Sequence, residues 1–370
     1  MPECFLLNKL FLGDLPCIIH FEQLFYQTNV TIASGITAVE NAVMLRERWF
    51  QKACTKGVLE RLRERSIFEA ENLNVTGHRD AWQRGEEGME YYILNNGIKM
   101  PALGIGTYLL APADAEKSVS IALACGFNLI DTANAYCNER AVGRAIRSSE
   151  IARQDIFVST KLWPSEYENN CAVDETLERL GLDYIDLLFL HQPAGNWRAG
   201  YRQLEKAYQD GKIKSIGISN FEGNYIDELL SYCEMKPQVM QVECHPYYPQ
   251  TGLRALIDTH GIKIMSWYPL GGKGNTQKLL GEQIIRAIAD KYGKTPAQIV
   301  LRWHIDMKFI VIPGSKNKSH IQDNSAIWDF KLNAEDMKEI ASLNTESRFY
   351  VRTDAALKGL AAWRPIYEKN

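Results

Sequence analysis

Short apolar runs rich in branched residues recur along the chain from about residue 100 onward, each followed by a stretch with helical spacing. The runs are LGIGT, NLID, IFVSTK, IDLLFL, IKSIGIS, QVMQVE, IKIMSW and FIVIP. Runs this short, with little polar alternation, predict strands buried on both faces. Between them, segments such as DAEKSVSIALACG, AVDETLERLG and YRQLEKAYQDG predict helices. Gly126, Gly181, Gly211, Gly261 and Gly293 close helical stretches, where a left-handed residue is wanted. Eight such units over about 250 residues predict an α/β fold, a closed (β/α)8 TIM barrel. The rival, an open doubly wound sheet, usually carries GxGxxG after its first strand; here Gly104 and Gly106 are followed by Leu109. Just upstream, MEYYILNNGIKM predicts a β-hairpin with Asn96-Gly97 as its turn.

A change of texture near residue 88 divides the chain into a segment 1–88 and a barrel 89–370. Before the boundary the units do not repeat, and a basic, amphipathic stretch from Ala42 to Arg65 runs into polar EAENLNVTGHRDAWQRGEEG. The first twenty residues loosely resemble a signal peptide, but Lys9 and Asp14 interrupt them and no basic region comes first. Composition narrows the partners. A net charge of -3 with dispersed Lys and Arg argues against nucleic acid and for a small molecule. No apolar run is long enough to span a bilayer, so no membrane partner is expected. Eight cysteines without a CxxC pair predict free thiols in a reducing compartment, the cytoplasm. The seven histidines show no paired-ligand spacing, so no metal site is expected, and His245 and His304 read as packing or helix residues.

Candidate chemistry collects at the C-terminal ends of the predicted strands, the catalytic rim of such a barrel. Asp131 and Tyr136 follow NLI, Lys161 ends IFVSTK, and His191 follows IDLLFL. A lysine inside a barrel is costly unless paired, and Asp131 one strand earlier is the natural partner. An ammonium near Tyr136 is expected to draw the phenol pKa down toward neutrality, where a proton passes readily to a substrate oxygen. His191 can hydrogen-bond the same oxygen. Proton delivery to a carbonyl oxygen pairs with hydride addition at carbon, and a hydride requires a nicotinamide or flavin. A Schiff-base mechanism on Lys161 is the chemical alternative.

MPALGIGTY, DTANAYCNE, TKLWPSEY, GLDYIDLLFLHQP, GKIKSIGISNF, QVECHPYYPQ and IVLRWHI stand in an order and spacing that resembles the aldo-keto reductases. Within that family the pattern is similar to bacterial reductases of sugar-derived diketones, methylglyoxal and other small aldehydes. The resemblance implies an NAD(P)H-dependent carbonyl reductase with a tetrad of Asp131, Tyr136 as acid, Lys161 and His191. It implies that Ser219, Asn220 and Gln241 bind the nicotinamide amide and that Trp267 stacks on the ring. Gly106, Thr107, Tyr268, Leu270, Gly272, Ser315, Lys316, Asn317, His320, Asp323 and Asn324 are the further cofactor contacts it implies. The loop Leu270–Gly274 after the seventh strand suits a pyrophosphate. After the eighth strand, Gly314 and His320 stand where the family commonly has Lys and Arg on the 2′-phosphate. Use of both NADPH and NADH is therefore expected, with a modest lean to NADP(H) and Lys316 as a displaced cation.

Tyr108, Trp163, Gln192 and the tail after Asn344 are the expected walls for a small carbonyl substrate. Gln192 stands where many relatives have Trp, which suggests a more polar pocket for hydroxylated substrates. The family pattern also implies that the hairpin closes the barrel bottom and that Met89 is a natural start. Residues 1–88 then read as an upstream stretch or dispensable appendage, or else as a small helical partner or oligomerisation segment; a monomer is the family expectation. A barrel of this family can also serve as a cofactor-binding regulatory subunit, the functional alternative.

Overall fold

A computed structural model describes residues 89–272 and 274–368. The expectations for segment 1–88 and for Lys273 lie outside the described residues.

Ten strands and twelve helices follow one another along the described chain. The strands are β1 (Tyr91–Ile93), β2 (Lys99–Pro101), β3 (Ile105–Gly106), β4 (Leu129–Asp131), β5 (Phe157–Leu162), β6 (Leu187–Leu190), β7 (Ile216–Ser219), β8 (Val239–Glu243), β9 (Lys263–Trp267) and β10 (Ile310–Val311). The helices are α1 (Pro112–Ala124), α2 (Glu139–Arg147), α3 (Ala172–Leu180), α4 (Trp197–Gln209), α5 (Asn224–Tyr232), α6 (Thr251–Asp258), α7 (Thr276–Leu280), α8 (Gln283–Tyr292), α9 (Pro296–Asp306), α10 (Lys318–Ser325), α11 (Ala334–Ala341) and α12 (Asp354–Ala362). Strands β3 to β10 pair in sequence order, all parallel. The sheet closes where the Val311 amide donates to Ala102 O and the Gly104 amide donates to Val311 O, each at 2.9 Å. This is the expected (β/α)8 barrel.

Strands β4 to β8 are buried along their whole length, so their continuous apolar runs sit between an inner core and an outer ring of helices. Leu129, Phe189, Ile216 and Val239 belong to this core. The glycines expected to end helices have positive φ, from 63° at Gly181 and Gly293 to 86° at Gly126.

β1 and β2 form the expected antiparallel hairpin. Its turn differs by one residue from the sequence reading. The Gly97 amide bonds to Leu94 O at 2.9 Å, which centres the turn on Asn95-Asn96 and leaves Gly97, at φ 86°, as the bulge residue that returns to β2. Both asparagine side chains plug the N-terminal end of the barrel: Asn95 Nδ2 donates to Pro237 O and Asn96 Nδ2 to Lys214 O, each at 3.0 Å. The barrel's cavity opens at the other end.

Candidate active site

The C-terminal end of the barrel opens on a cavity of about 1030 Å³. Asp131, the last residue of β4, meets Lys161 of β5 across neighbouring strands, with Nζ to Oδ2 at 2.6 Å. Lys161 Nζ also donates to Thr132 O at 2.8 Å, and Asp131 Oδ1 accepts from Ser159 Oγ at 2.8 Å and Gln241 Nε2 at 3.2 Å. Both charges are buried, and both find partners from several strands. Such a pair is tolerated inside a core only because its geometry is satisfied.

Tyr136 lies in the 3-10 turn Asn134–Tyr136 directly after β4. Asn134 Oδ1 accepts from the Trp163 amide at 3.0 Å, which ties this turn to the end of β5. Asn138 accepts from Thr132 Oγ1 and donates to Thr107 O and Leu110 O, fastening it to the loop after β3. Lys161 Nζ stands 5.1 Å from the Tyr136 ring centroid. The His191 ring meets Tyr136 edge-on at 5.6 Å and Trp163 at 4.9 Å, while its buried Nδ1 has no partner. All four rim residues therefore converge, on supports at Asn134, Asn138 and Ser159 that the sequence reading did not single out. Those three sit in or beside the DTANAYCNE and TKLW blocks, but only distances reveal their work.

The electrostatics correct one expectation. Tyr136 is not drawn toward neutrality: burial pushes its pKa well above 10, and the charges of Asp131, Tyr108 and Tyr268 push it the same way. Asp131, at 2.6 Å, takes up the ammonium's field before it reaches the phenol. Burial lowers the Lys161 pKa against the opposing pull of Asp131 and Glu139. It also lowers that of His191 well below 6.5, with the Lys161 charge adding to the effect. The site therefore holds a protonated phenol beside a neutral imidazole.

Of the remaining expected contacts, Gly106, Ser219, Asn220, Gln241, Trp267, Tyr268, Leu270, Gly272, Ser315, His320, Asp323 and Asn324 line the cavity, with Gly314. Thr107, Lys316 and Asn317 do not form part of that lining. Thr107 is fully buried with its hydroxyl on Asp131 O, and Asn317 caps α10 through Ser319 N at 2.9 Å. Lys316, mostly exposed, faces Asp114 at 3.6 Å. The expected nicotinamide residues hold one another: Trp267 Nε1 donates to Asn220 Oδ1 at 3.0 Å, and Asn220 Nδ2 to Ser219 Oγ at 3.1 Å. Gly272, at φ 63°, lies so close under the Tyr268 ring that a Cβ would come within 2.5 Å of it, leaving backbone facing the cavity.

Tyr108, Trp163 and Gln192 also line the cavity, joined by Tyr350, Leu360 and Trp363 from the tail. The tail is pinned to the barrel mouth. Glu243 accepts from the Phe349 and Tyr350 amides at 2.5 and 3.2 Å, Arg352 bonds to Asn220 O, and Trp163 Nε1 donates to Leu360 O at 3.0 Å. His245 and His304 are fully buried. His245 Nε2 meets Glu243 Oε1 at 3.0 Å; the ring nitrogens of His304 face Val300 O and Cys244 O, and burial lowers its pKa to about 4. Among the described residues no cluster of three His, Cys, Asp or Glu is arranged to hold a metal, and no helix is long and apolar enough to cross a membrane.

A closed parallel barrel with a buried acid–lysine pair, a tyrosine and a histidine at its C-terminal mouth defines a barrel enzyme with proton-transfer groups in a ligand-sized cavity. The comparisons make the class specific. The Aldo/keto reductase family profile matches residues 102–345, and the chain belongs to that family. The chain is 41% identical over 264 residues to the 9,11-endoperoxide prostaglandin H2 reductase of Trypanosoma cruzi (strain CL Brener), covering 69% of this chain and 92% of that one. It is 39% identical over 269 residues to the glyoxal reductase of Bacillus subtilis (strain 168), covering 71% and 96%. Among solved structures, MGS-M4, an aldo-keto reductase from a Medee basin deep-sea metagenome library, is 39% identical with a TM-score of 0.69 and covers 71% of this chain and 98% of its own. The protein is an oxidoreductase of this family, and its relatives include enzymes named for reduction of a prostaglandin endoperoxide and of glyoxal.

Proposed function

We propose that the protein reduces small aldehydes or ketones, sugar-derived or dicarbonyl, to alcohols with NAD(P)H, and that Tyr136 is the proton donor. The observation that carries this reading is the protonated Tyr136 phenol beside neutral His191, above the buried Lys161–Asp131 pair and on the wall of one cavity. Relatives named methylglyoxal and glyoxal reductases support the substrate class.

The residues present suit a nicotinamide dinucleotide. The cavity runs from Asp131 and Trp267 to Ser315, His320 and Asn324, and its volume matches that of cofactor-sized clefts. Trp267 offers an aromatic face, Ser219, Asn220 and Gln241 offer amide and hydroxyl groups, and the Leu270–Gly272 backbone offers a cradle for phosphates. When bound, the nicotinamide supplies the hydride. Tyr136 gives the phenolic proton to the carbonyl oxygen as negative charge gathers there. His191 orients that oxygen from the adjacent wall, and Asp131 fixes Lys161 beneath the phenol so that the site is pre-organised.

We propose use of both cofactors with a modest lean to NADP(H). Support for the lean comes from His320 on the cavity wall and from Lys316 and Lys318 beside it in sequence. Asp114 offsets part of the Lys316 charge, which is why the lean is modest.

Tyr136→Phe keeps the ring and removes the proton. The expected outcome is a loss of about 10²–10⁴-fold in kcat for methylglyoxal reduction with cofactor binding retained, followed by NAD(P)H absorbance and cofactor fluorescence. A variant within threefold of wild type would sink the assignment. Failure of the wild-type protein to oxidise either cofactor with any small aldehyde would favour the regulatory-subunit alternative.

A further inference from the structure

Tyr367 and Glu368, the last two described residues of the tail, grip the segment that carries Tyr136 from both sides. Before Tyr136, Asn134 Nδ2 donates to the Tyr367 hydroxyl at 3.3 Å. After it, the Arg140 and Ala141 amides donate to Glu368 Oε2 at 3.1 and 3.4 Å. These amides belong to the first turn of α2, whose own N-cap side chain leaves them free: Asn138 is committed to Thr132, Thr107 O and Leu110 O. A carboxylate 228 positions away from Arg140 therefore takes the place of the N-cap, with its charge at the favoured end of the helix dipole. The Tyr367 ring also lies over the Arg179 guanidinium at 4.1 Å, and Arg179 bonds to the buried Glu139 carboxylate at 2.6 Å. Glu139 in turn accepts from Thr160 Oγ1 at 2.7 Å, next to Lys161 on β5.

Tyr367, Glu368, Arg140 and Ala141 do not form part of the cavity lining, so these contacts act on Tyr136 from behind rather than on a ligand. Only Cys137 and Asn138 separate Tyr136 from α2, and Cys137 turns the chain sharply at φ 55°. The seat of α2 therefore fixes where the phenol stands. Proton transfer is sensitive to that position, since a displacement of about 1 Å costs on the order of a hundredfold in rate. We propose that the end of the tail is a clasp for the acid: Tyr367 and Glu368 are positioning residues that hold the Asn134–Tyr136 turn for proton transfer. The inference rests on the carbonyl-reductase reading above, with Tyr136 as the donor. It gives the tail a second task, separate from the substrate wall made by Leu360 and Trp363.

Single-turnover hydride transfer to the better of methylglyoxal and glyoxal, followed by stopped-flow absorbance well below the unfolding temperature, tests the clasp. Glu368→Ala is expected to lower this rate about ten- to a hundredfold, while aldehyde KM and NADP⁺ affinity stay within about twofold. Glu368→Gln keeps an oxygen acceptor for the two amides and is expected to restore the rate to within about threefold of wild type. Tyr367→Phe keeps the ring on Arg179 and removes only the acceptor for Asn134, with an expected loss of about two- to fivefold. It leaves the helix cap in place, and so carries the test alone if Glu368→Ala does not fold. A Tyr136→Phe background separates positioning from general loosening: there Glu368→Ala is expected to cause no further loss, because the donor it holds is gone. The same fold-loss in both backgrounds overturns the proposal, as does a Glu368→Ala rate within about twofold of wild type despite a lowered Tm. An unchanged rate in Tyr367→Phe overturns the assignment of Tyr367. Absence of turnover by the wild-type protein with either nicotinamide overturns the reductase reading together with this one. Turnover that is lost in Tyr136→Phe and kept in Glu368→Ala overturns this one alone.

Discussion

In the proposed reaction Tyr136 acts as a neutral phenol with a firmly held proton. Its pKa lies well above 10 because ionising it would bury a second anion beside Asp131. The tetrad itself was legible in the sequence, since each member stands at the end of an apolar run and barrel topology gathers strand ends. Its electrostatics were not, because they turn on the 2.6 Å contact that spends the Lys161 charge on Asp131. A pH dependence follows. Carbonyl reduction needs protonated Tyr136 and, at the oxygen, a neutral His191, whose pKa lies well below 6.5. The kcat for reduction is therefore expected to be flat from roughly pH 6.5 to 10, the ordinary values from which these two groups are displaced outward. Oxidation of the alcohol needs the phenolate, so its kcat is expected to rise with pH across that same window. Stopped-flow hydride-transfer rates in both directions check this, and a reductive limb that falls near pH 7 would contradict it.

The elements that follow a period were readable and the one that does not was not. Strand runs, helix-ending glycines and the hairpin all leave a local pattern, down to a turn displaced by a single residue. The tail after Asn344 has none. It is held by backbone amides on the buried Glu243 carboxylate, by Arg352 on Asn220 O and by Leu360 O on Trp163, bonds to residues more than a hundred positions away. Its consequence is an aromatic wall, with Trp363 edge-on to Trp163 at 5.2 Å and Trp163 in turn edge-on to His191. The Trp163–Trp363 pair adds about 0.5–1.5 kcal/mol beyond area burial. Trp363, nearly half exposed, is the outer leaf, so its removal should not disturb the core. Trp363→Ala is expected to raise KM for an aryl aldehyde about three- to tenfold while leaving KM for methylglyoxal within twofold, because only the larger substrate reaches that wall. Equal effects on both would place Trp363 outside the substrate path.

At the scale of the whole barrel, the β1–β2 hairpin covers one end and a cofactor-sized cavity opens at the other, so ligand binding should report on global stability. No described lysine or arginine lines that cavity, and the groups there able to carry positive charge are His191, buried with its pKa lowered, and His320 on α10. Discrimination by a 2′-phosphate would therefore have little fixed charge to work with, which is the structural ground for the proposed dual cofactor use. A ligand at a hundred times its Kd adds about 2.7 kcal/mol to folding stability. In a barrel of this size that is a rise of several degrees in Tm, about 2–4 °C per kcal/mol. Both NADP⁺ and NAD⁺ are expected to produce such a rise. His320→Arg adds a permanent guanidinium, and a charge-assisted bond contributes about 1.5–3 kcal/mol, so NADP⁺ affinity should increase roughly ten- to a hundredfold while NAD⁺ affinity stays the same. Thermal shift and fluorescence titration with both dinucleotides measure this without turnover. Equal gains for the two would move the phosphate contact away from α10, and a wild-type kcat/KM favouring NADH by more than about tenfold, more than the loss of one such bond explains, would reverse the proposed lean.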